Sequence, residues 1–529
     1  MLLDKPEVAA LGARMEDYFT PSTPWTRQLW RRSTLGEVGE LLEAWDLHRQ
    51  GALSESAVKY LSDGLIRRVK TDPGIGSARD RGILVGHLQR RLLPGSHGAH
   101  ALSELLITHG PVYLDNWATE TRARQPSIET LSRALCSHML DAGFSRTSLT
   151  RWLHYHKRKN NSEVYDVPGI IVLGQRLLHR HSVRFEMIVP LEAAPPIPSG
   201  QNSCWLTPTE TSQWLEDWFP GTSLRQAGAL KIESDSRDLG SALSFAQAEM
   251  SRMQSRFRVG GRKNLEFIDR AYVIGENTPI VLRQAPRRVQ VHALEDTRAI
   301  FVRELPGELD AVLELLEPLD RGPSAAAVTG AWAALEAMFV GPGDTSNRVV
   351  AATRTARILT CAYVLSEFRI LASAYECSQD DELAHALRRE SDEDRRAQMV
   401  EKALSSGRTI HFTSPRHHAA LLRMHHLIAD RTGFFQRVSG QLEDVLRRLY
   451  RQRNLIVHAG QLTSCALRAT LRTAAPLVGA AVDTAVRAAA LDGIPPLELA
   501  AKSEIRLAAV GAGRRPLAGL LSSEYVPAG

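Results

Sequence analysis

The stretch Tyr450-Arg451-Gln452-Arg453-Asn454-Leu455-Ile456-Val457-His458-Ala459-Gly460 holds residue types that can handle a phosphodiester. A histidine can take the proton from a ribose 2′-hydroxyl or deliver one to the leaving 5′-oxygen. An arginine can hold the phosphate through its forked donors and offset the charge that builds at the pentavalent transition state. Such a set needs no metal, because the nucleophile is already in the substrate, and it selects RNA over DNA, which lacks the 2′-hydroxyl. On a helix, Asn454 and His458 are four apart and share a face, with Arg451 on the same stripe. Arg453 lies five before His458 and points about 140° away from it. One helix alone therefore does not easily aim both at one phosphate. A long guanidinium stem can swing part of the way, and a second copy across a two-fold axis could supply the rest. Leu455, Ile456 and Val457 are expected to anchor the helix in a core. The bare Arg-x4-His spacing also fits a surface arginine and a helix-terminal histidine whose charge suits the C-terminal end of the dipole, just before Gly460. Spacing alone favours that second reading.

The elements that must hold these residues read as mainly helical and multidomain. Residues 1–164 are a helical N-terminal region, with apolar residues three and four apart in LGEVGELLEAWDLHRQGAL and SESAVKYLSDGLIRRVK. Residues 165–305 change to an α+β region. PGIIVLG, RFEMIVPLEA, GALKIES, RAYVIGE, TPIVLRQ, RRVQVHAL and RAIFVREL are short and rich in β-branched residues, around one clear helix, DLGSALSFAQAEMSRMQSRF. That order predicts a small open sheet with a helix on one face. Residues 306–490 return to helix. Val328, Trp332, Leu335 and Phe339 form an apolar stripe that Gly341-Pro342-Gly343-Asp344 ends, with Thr345 or Ser346 as the next cap. A long helix through RVVAATRTARILTCAYVLSEFRILASAYE and a charged, exposed stretch from Ser378 follow. A second stripe at Val438, Leu442, Val445 and Leu449 leads into the motif. Two Ala-rich helices parted by Pro476 come next, and residues 491–529 close as a tail, loose from about 512.

The C-terminal region resembles the HEPN superfamily, in its Apea-like branch. The resemblance rests on Trp332-Ala-Ala-Leu335-Glu336-Ala-Met338, on Arg348 to Arg357 with alternating Ala and Arg, and on Leu449-Tyr450 followed by Arg453-Asn454-x-x-x-His458-Ala-Gly. It covers residues 320–490. The family often has His-Gly directly, where this chain inserts Ala459. The resemblance implies an all-α HEPN-like bundle and a metal-independent endoribonuclease that leaves a 2′,3′-cyclic phosphate and a 5′-hydroxyl. Arg453 and His458 would be the catalytic pair and Asn454 a positioning residue, with Glu336, Tyr450 and Arg451 in support. It also implies a homodimer or higher even-numbered oligomer, and a growth-arresting toxin of anti-phage, abortive-infection defence. The first 300 residues would then act as sensor or regulator, answering a phage-derived trigger or a regulatory partner. With this context the nuclease reading prevails over the helix-terminal one.

Arg252, Arg256, Arg258, Arg262 and Lys263 form a basic cluster that could guide RNA, or simply a solvated face. The run His154-Tyr155-His156-Lys157-Arg158-Lys159 reads first as a solvated loop. His417-His418 and His425-His426 could share a helix face, but no cysteine or carboxylate completes a metal set, so no metal and no cofactor are expected. Ser145 to Leu153 outlines the second helix of a helix-turn-helix, with an ordinary helical hairpin the stronger reading. The alternatives in function are a non-catalytic RNA- or nucleotide-binding module of the same fold and a helix-turn-helix DNA-binding regulator. The net charge of +6 over 529 residues is too mild to decide between them. Five widely spaced cysteines without a CxxC argue against a disulfide framework or a structural zinc site and point to buried free thiols. The N-terminus lacks the order of a signal peptide, and no run of roughly 18 apolar residues is unbroken. A cytoplasmic protein without a membrane partner is expected.

Overall fold

A computed structural model describes residues 5–158, 166–194, 204–261, 265–282, 286–344, 349–510 and 516–522. The chain is mainly helical, with a small antiparallel sheet. It divides into two compact units. One takes Met1–His138, His156–Gln175 and Arg287–Gly529, the other Met139–Tyr155 and Arg176–Pro286. The N-terminal helices therefore belong to the same unit as the helices beyond Arg287, where the sequence pointed to separate domains.

In the larger unit the helix Val350–Ser378 runs through the core, with Ile358, Leu359, Val364, Phe368 and Leu371 fully buried. The helices Ser324–Phe339, Arg431–Ala459, Leu467–Asp492 and Pro496–Ala508 pack around it. The stripe Val328, Trp332, Leu335 and Phe339 is buried, as is Val438, Leu442, Val445 and Leu449. Val350–Ser378 and Leu467–Asp492 are long and apolar enough to cross a membrane by length and composition, yet 72% of the most apolar window of each is buried inside the protein. N-terminal segments join this core. Trp25 and Trp30 stack on each other and both meet the Tyr363 ring edge-on.

Several local expectations change. Leu467–Asp492 is one helix with Pro476 inside it, because Ala474, Ala475, Leu477 and Val478 are all fully buried and packing outweighs the lost hydrogen bond. The charged stretch after Ser378 forms two helices, Glu382–Arg389 and Glu393–Ser405. Each buries an apolar face, Leu383 and Leu387 on one and Val400 and Leu404 on the other. The expected tail contains the helix Pro496–Ala508, and Leu517, Ala518 and Leu520 are buried. The Glu401 carboxylate accepts from the Leu517 and Ala518 amides at 2.7 and 2.8 Å. The expected caps Thr345 and Ser346 lie outside the described residues, as does Arg348.

PGIIVLG is not a strand but part of the helix Val167–Leu178. Asp166 caps it by accepting from the Gly169 amide at 2.8 Å, and Pro168 suits the first turn. RRVQVHAL is not a strand either. Arg287 donates to the carbonyls of Leu319 and Gly322 at the end of the helix Leu309–Arg321, and the Val289 amide bonds Asp320. RAIFVREL carries a 3-10 turn at Ala299–Phe301.

The helices Leu309–Arg321 and Ser324–Phe339 meet at Gly330. A methyl group built there would fall 2.3 Å from the Leu315 carbonyl oxygen. Gly330→Ala is therefore expected to destabilise the protein by about 2 kcal/mol or more, since backbone on both sides must move. Urea unfolding measures it, and an unchanged midpoint would mean that the two helices pack less closely than this.

In the smaller unit the strand Val183–Ala193 is central. It pairs antiparallel with Ala229–Ser236 on one side and with Arg270–Val273 on the other; Trp205–Leu206 and Ile280–Val281 lie at the edges. Met187, Val189 and Leu191 face the helix Leu239–Gly260 through Ala242, Ala246 and Met250. Ile188 faces the other way, where Leu215 and Phe219 of the Pro208–Trp218 region cover it. The expected sheet with one helical face thus has cover on both. The helices Ile128–Asp141 and Arg146–Arg158 turn at Gly143, whose φ of 98° suits glycine.

Candidate active site

The motif occupies about the last three turns of the helix Arg431–Ala459. Asp430 caps its start by accepting from the Gly433 amide at 2.9 Å. Gly460 ends it in the left-handed conformation, φ 63°, with its amide bonded to the Leu455 carbonyl. Leu455 is buried and Ile456 packs against the core, but Val457 is 50% exposed and anchors nothing. Two apolar residues suffice because the helix is already fixed by the stripe upstream.

Arg453 Nη1 donates to Asn454 Oδ1 at 3.1 Å and lies 3.3 Å from His458 Nε2. One helix does bring the pair together. The angular offset fixes where the Cα–Cβ bonds point, not where a flexible guanidinium ends. Since the guanidinium only donates, His458 Nε2 presents its lone pair to it. Asn454 is buried, Arg453 half-buried and His458 exposed. The result is a fixed amide, a cation beside it and an imidazole nitrogen able to accept a proton, on a turn open to solvent.

The supporting residues divide. Tyr450 packs on Trp332, ring centroids 4.9 Å apart, and so ties the motif helix to Ser324–Phe339. Glu336 is half-buried on that second helix, and among the described residues no hydrogen bond joins it to Arg453, Asn454 or His458. Arg451 points inward, two residues and about 200° from Arg453. Its guanidinium donates to Glu40 Oε1 at 2.6 and 3.1 Å.

Glu40 belongs to a set of residues that the sequence reading missed. On the helix Thr34–Arg49, Glu37, Glu40 and Glu43 recur every three residues. Arg448 donates to Glu37 at 3.0 Å and to Glu40 at 3.1 Å, and Arg68 donates to Glu37 at 2.6 Å. Burial pushes the Glu40 carboxyl up, but Arg451, Arg448 and Arg32 together outweigh it and hold it well below the ordinary carboxylate range. Burial pushes Glu37 up as well, and Arg68 and Arg448 only partly offset it. The available signal was a pair of matching periods: carboxylates at 37 and 40, arginines at 448 and 451.

The basic cluster lies in the smaller unit. Arg252, Arg256 and Arg258 are exposed on the helix Leu239–Gly260, where Arg252 pairs with Glu249 and Arg256 touches Met253. Arg262 and Lys263 lie outside the described residues. Helix extends to Arg158, so the basic run there is not a loop up to that point; Lys157 pairs with Glu16 at 2.6 Å, and Lys159 lies outside the described residues. His417 sits 3.3 Å from Arg27 Nη1, and burial together with Arg27 holds its imidazole below the usual range. Among the described residues no three His, Cys, Asp or Glu side chains gather as metal ligands. Cys136 and Cys361 are buried free thiols, but Cys377 and Cys465 are exposed.

No family model, no curated protein and no solved structure matches this chain.

Proposed function

We propose that the chain is a metal-independent endoribonuclease of the HEPN type, with Arg453 and His458 as its catalytic pair. The observation that carries this reading is the approach of Arg453 Nη1 to His458 Nε2 at 3.3 Å, beside Asn454, on an exposed helix end. An incoming phosphate competes with the imidazole for the guanidinium. Arg453 moves to the phosphate oxygens and the freed Nε2 meets the 2′-hydroxyl. The 2′-oxygen then attacks phosphorus, its proton passes to His458, and the bond to the 5′-oxygen breaks. The products are a 2′,3′-cyclic phosphate and, once that oxygen gains a proton, a 5′-hydroxyl. Asn454, held by burial, fixes the direction of the Arg453 fork.

The wider role rests on the resemblance: an effector that arrests growth in anti-phage defence, working as a homodimer in the cytoplasm under control of the N-terminal regions. One chain brings both groups to contact distance, so the geometry of the pair does not by itself call for a second copy.

The purified protein is expected to cut single-stranded RNA in the presence of EDTA and to leave cyclic phosphate ends. Activity lost on chelation and restored by zinc or magnesium would sink the metal-free mechanism. Products with 3′-hydroxyl ends would assign the nucleophile to water and the chemistry to another site.

A further inference from the structure

The helix Thr34–Arg49 grips the chain on both sides of the motif. Upstream, Arg448 and Arg451 are anchored on Glu37 and Glu40. Downstream, Glu43 accepts from the Ser464 hydroxyl at 2.6 Å and from the Cys465 amide at 3.4 Å. Arg32, one residue before the Ser33 cap of that helix, donates to the Cys465 carbonyl at 2.8 Å and lies 3.4 Å from Glu40. The approach is close: a methyl group built on Gly39 would lie 4.0 Å from Cys465 Sγ. Between the two anchor points the chain leaves helix at Gly460, and residues 460–464 have no regular structure. The turn that carries His458 thus lies between two points tied to the same helix, one before it and one after it. Glu40 and Arg448 are both 2% exposed, so the upstream anchor is dry and its geometry stiff.

We propose that Glu40 and Glu43 are positioning residues that act through Arg451 and through Ser464-Cys465 to hold the Arg453–His458 turn. In this role the helix Thr34–Arg49 is part of the site's support. The proposal rests on the nuclease reading for its catalytic consequence, but not for its structural one.

The test uses the full chain and two variants, Glu40→Gln and Glu43→Gln, each read by hydrogen–deuterium exchange and by RNA cleavage. Each variant is expected to raise exchange in residues 455–466 by about 10-fold while the helices Leu309–Arg321 and Ser324–Phe339 stay unchanged. Each should lower kcat by about 10- to 100-fold with KM nearly constant, since misplacement of reacting groups weakens the transition state and not binding. Glu43→Asp, which keeps the charge, should recover most of kcat. Exchange and kcat like those of the wild type in both variants would overturn the proposal. So would a rise in exchange spread evenly over the chain, with kcat falling only as the folded fraction falls. If Glu40→Gln yields no folded protein, the half-buried Glu43 decides alone by the same two readings. If the wild type cuts no RNA, the nuclease reading fails by itself, and the exchange data still decide whether Glu40 and Glu43 hold this turn.

Discussion

His458→Ala is expected to lower RNA cleavage by about 10³-fold or more while leaving the fold intact. A positioned proton acceptor contributes roughly 10²- to 10⁴-fold. The imidazole is exposed and touches only Arg453 among the contacts described for it, so its loss leaves no buried group unpaired. The change in unfolding free energy should stay within about 0.5 kcal/mol. Arg453→Ala should cost about 10²- to 10³-fold, the scale of one lost donor to a developing oxyanion. The double variant should be hardly worse than His458→Ala, because the two groups act on one phosphate as a unit. Arg453→Lys separates charge from shape. A point charge on a flexible stem keeps attraction for phosphate but loses the planar set of donors, of which Nη1 alone now meets both Asn454 and His458. It should therefore remain well below the wild type. Near-normal cleavage by His458→Ala with an unchanged melting profile would make the motif a helix terminus and nothing more.

The motif, its helix and that helix's end were legible because the signals are local. The period of Val438, Leu442, Val445 and Leu449 fixes the buried face, and Gly460 marks the stop. What was not legible lies in side-chain reach and in distant partners. Counting 100° per residue separates Arg453 from His458, yet the guanidinium crosses that angle. Arg451 looks from its own helix like a companion of Asn454. Only Glu40, 411 residues away, explains why it turns inward. The same holds for strands read from composition. Val167 to Gly174 is rich in Ile and Val, but Asp166 placed three before Gly169 starts a helix, and a cap of one residue outweighs the weak β preference of several. At Pro476 the error ran the other way. A breaker judged by local rule sits inside a continuous helix because everything around it is buried.

The second large effect is on stability and on its dependence on pH, at a carboxylate that no motif marked. Glu367, on the helix Val350–Ser378, is fully buried. It accepts from the Thr26 hydroxyl, from Arg27 Nε at 3.1 Å and from Arg423 Nη2 at 3.0 Å. It thus joins the turn Trp25–Arg27 and the helix Pro415–Ala429 to the central helix. Glu367→Ala removes a carboxylate shared by two buried guanidinium groups, Arg27 and Arg423, and should destabilise the protein by about 3–5 kcal/mol. Burial pushes the Glu367 carboxyl up, but Arg27 and Arg423 outweigh it and bring it down from 4.5 to about 2. The folded-state value is thus depressed below the unfolded one. The associated stability is fully present above pH about 4.5 and is lost as pH falls toward 2. Glu40, held down by Arg451, Arg448 and Arg32, shifts in the same direction, whereas burial wins at Glu37 and shifts it the opposite way. Glu367→Gln isolates one contribution, because it keeps the shape and removes the charge and its titration. Urea unfolding from pH 6 down to pH 3 should show a wild-type stability that falls more steeply than that of Glu367→Gln. The gap between them should be widest at pH 6 and narrow as acid is added. A gap that stays constant over this range would mean that Glu367 does not titrate with folding, and that its two arginines hold it less firmly than the distances imply.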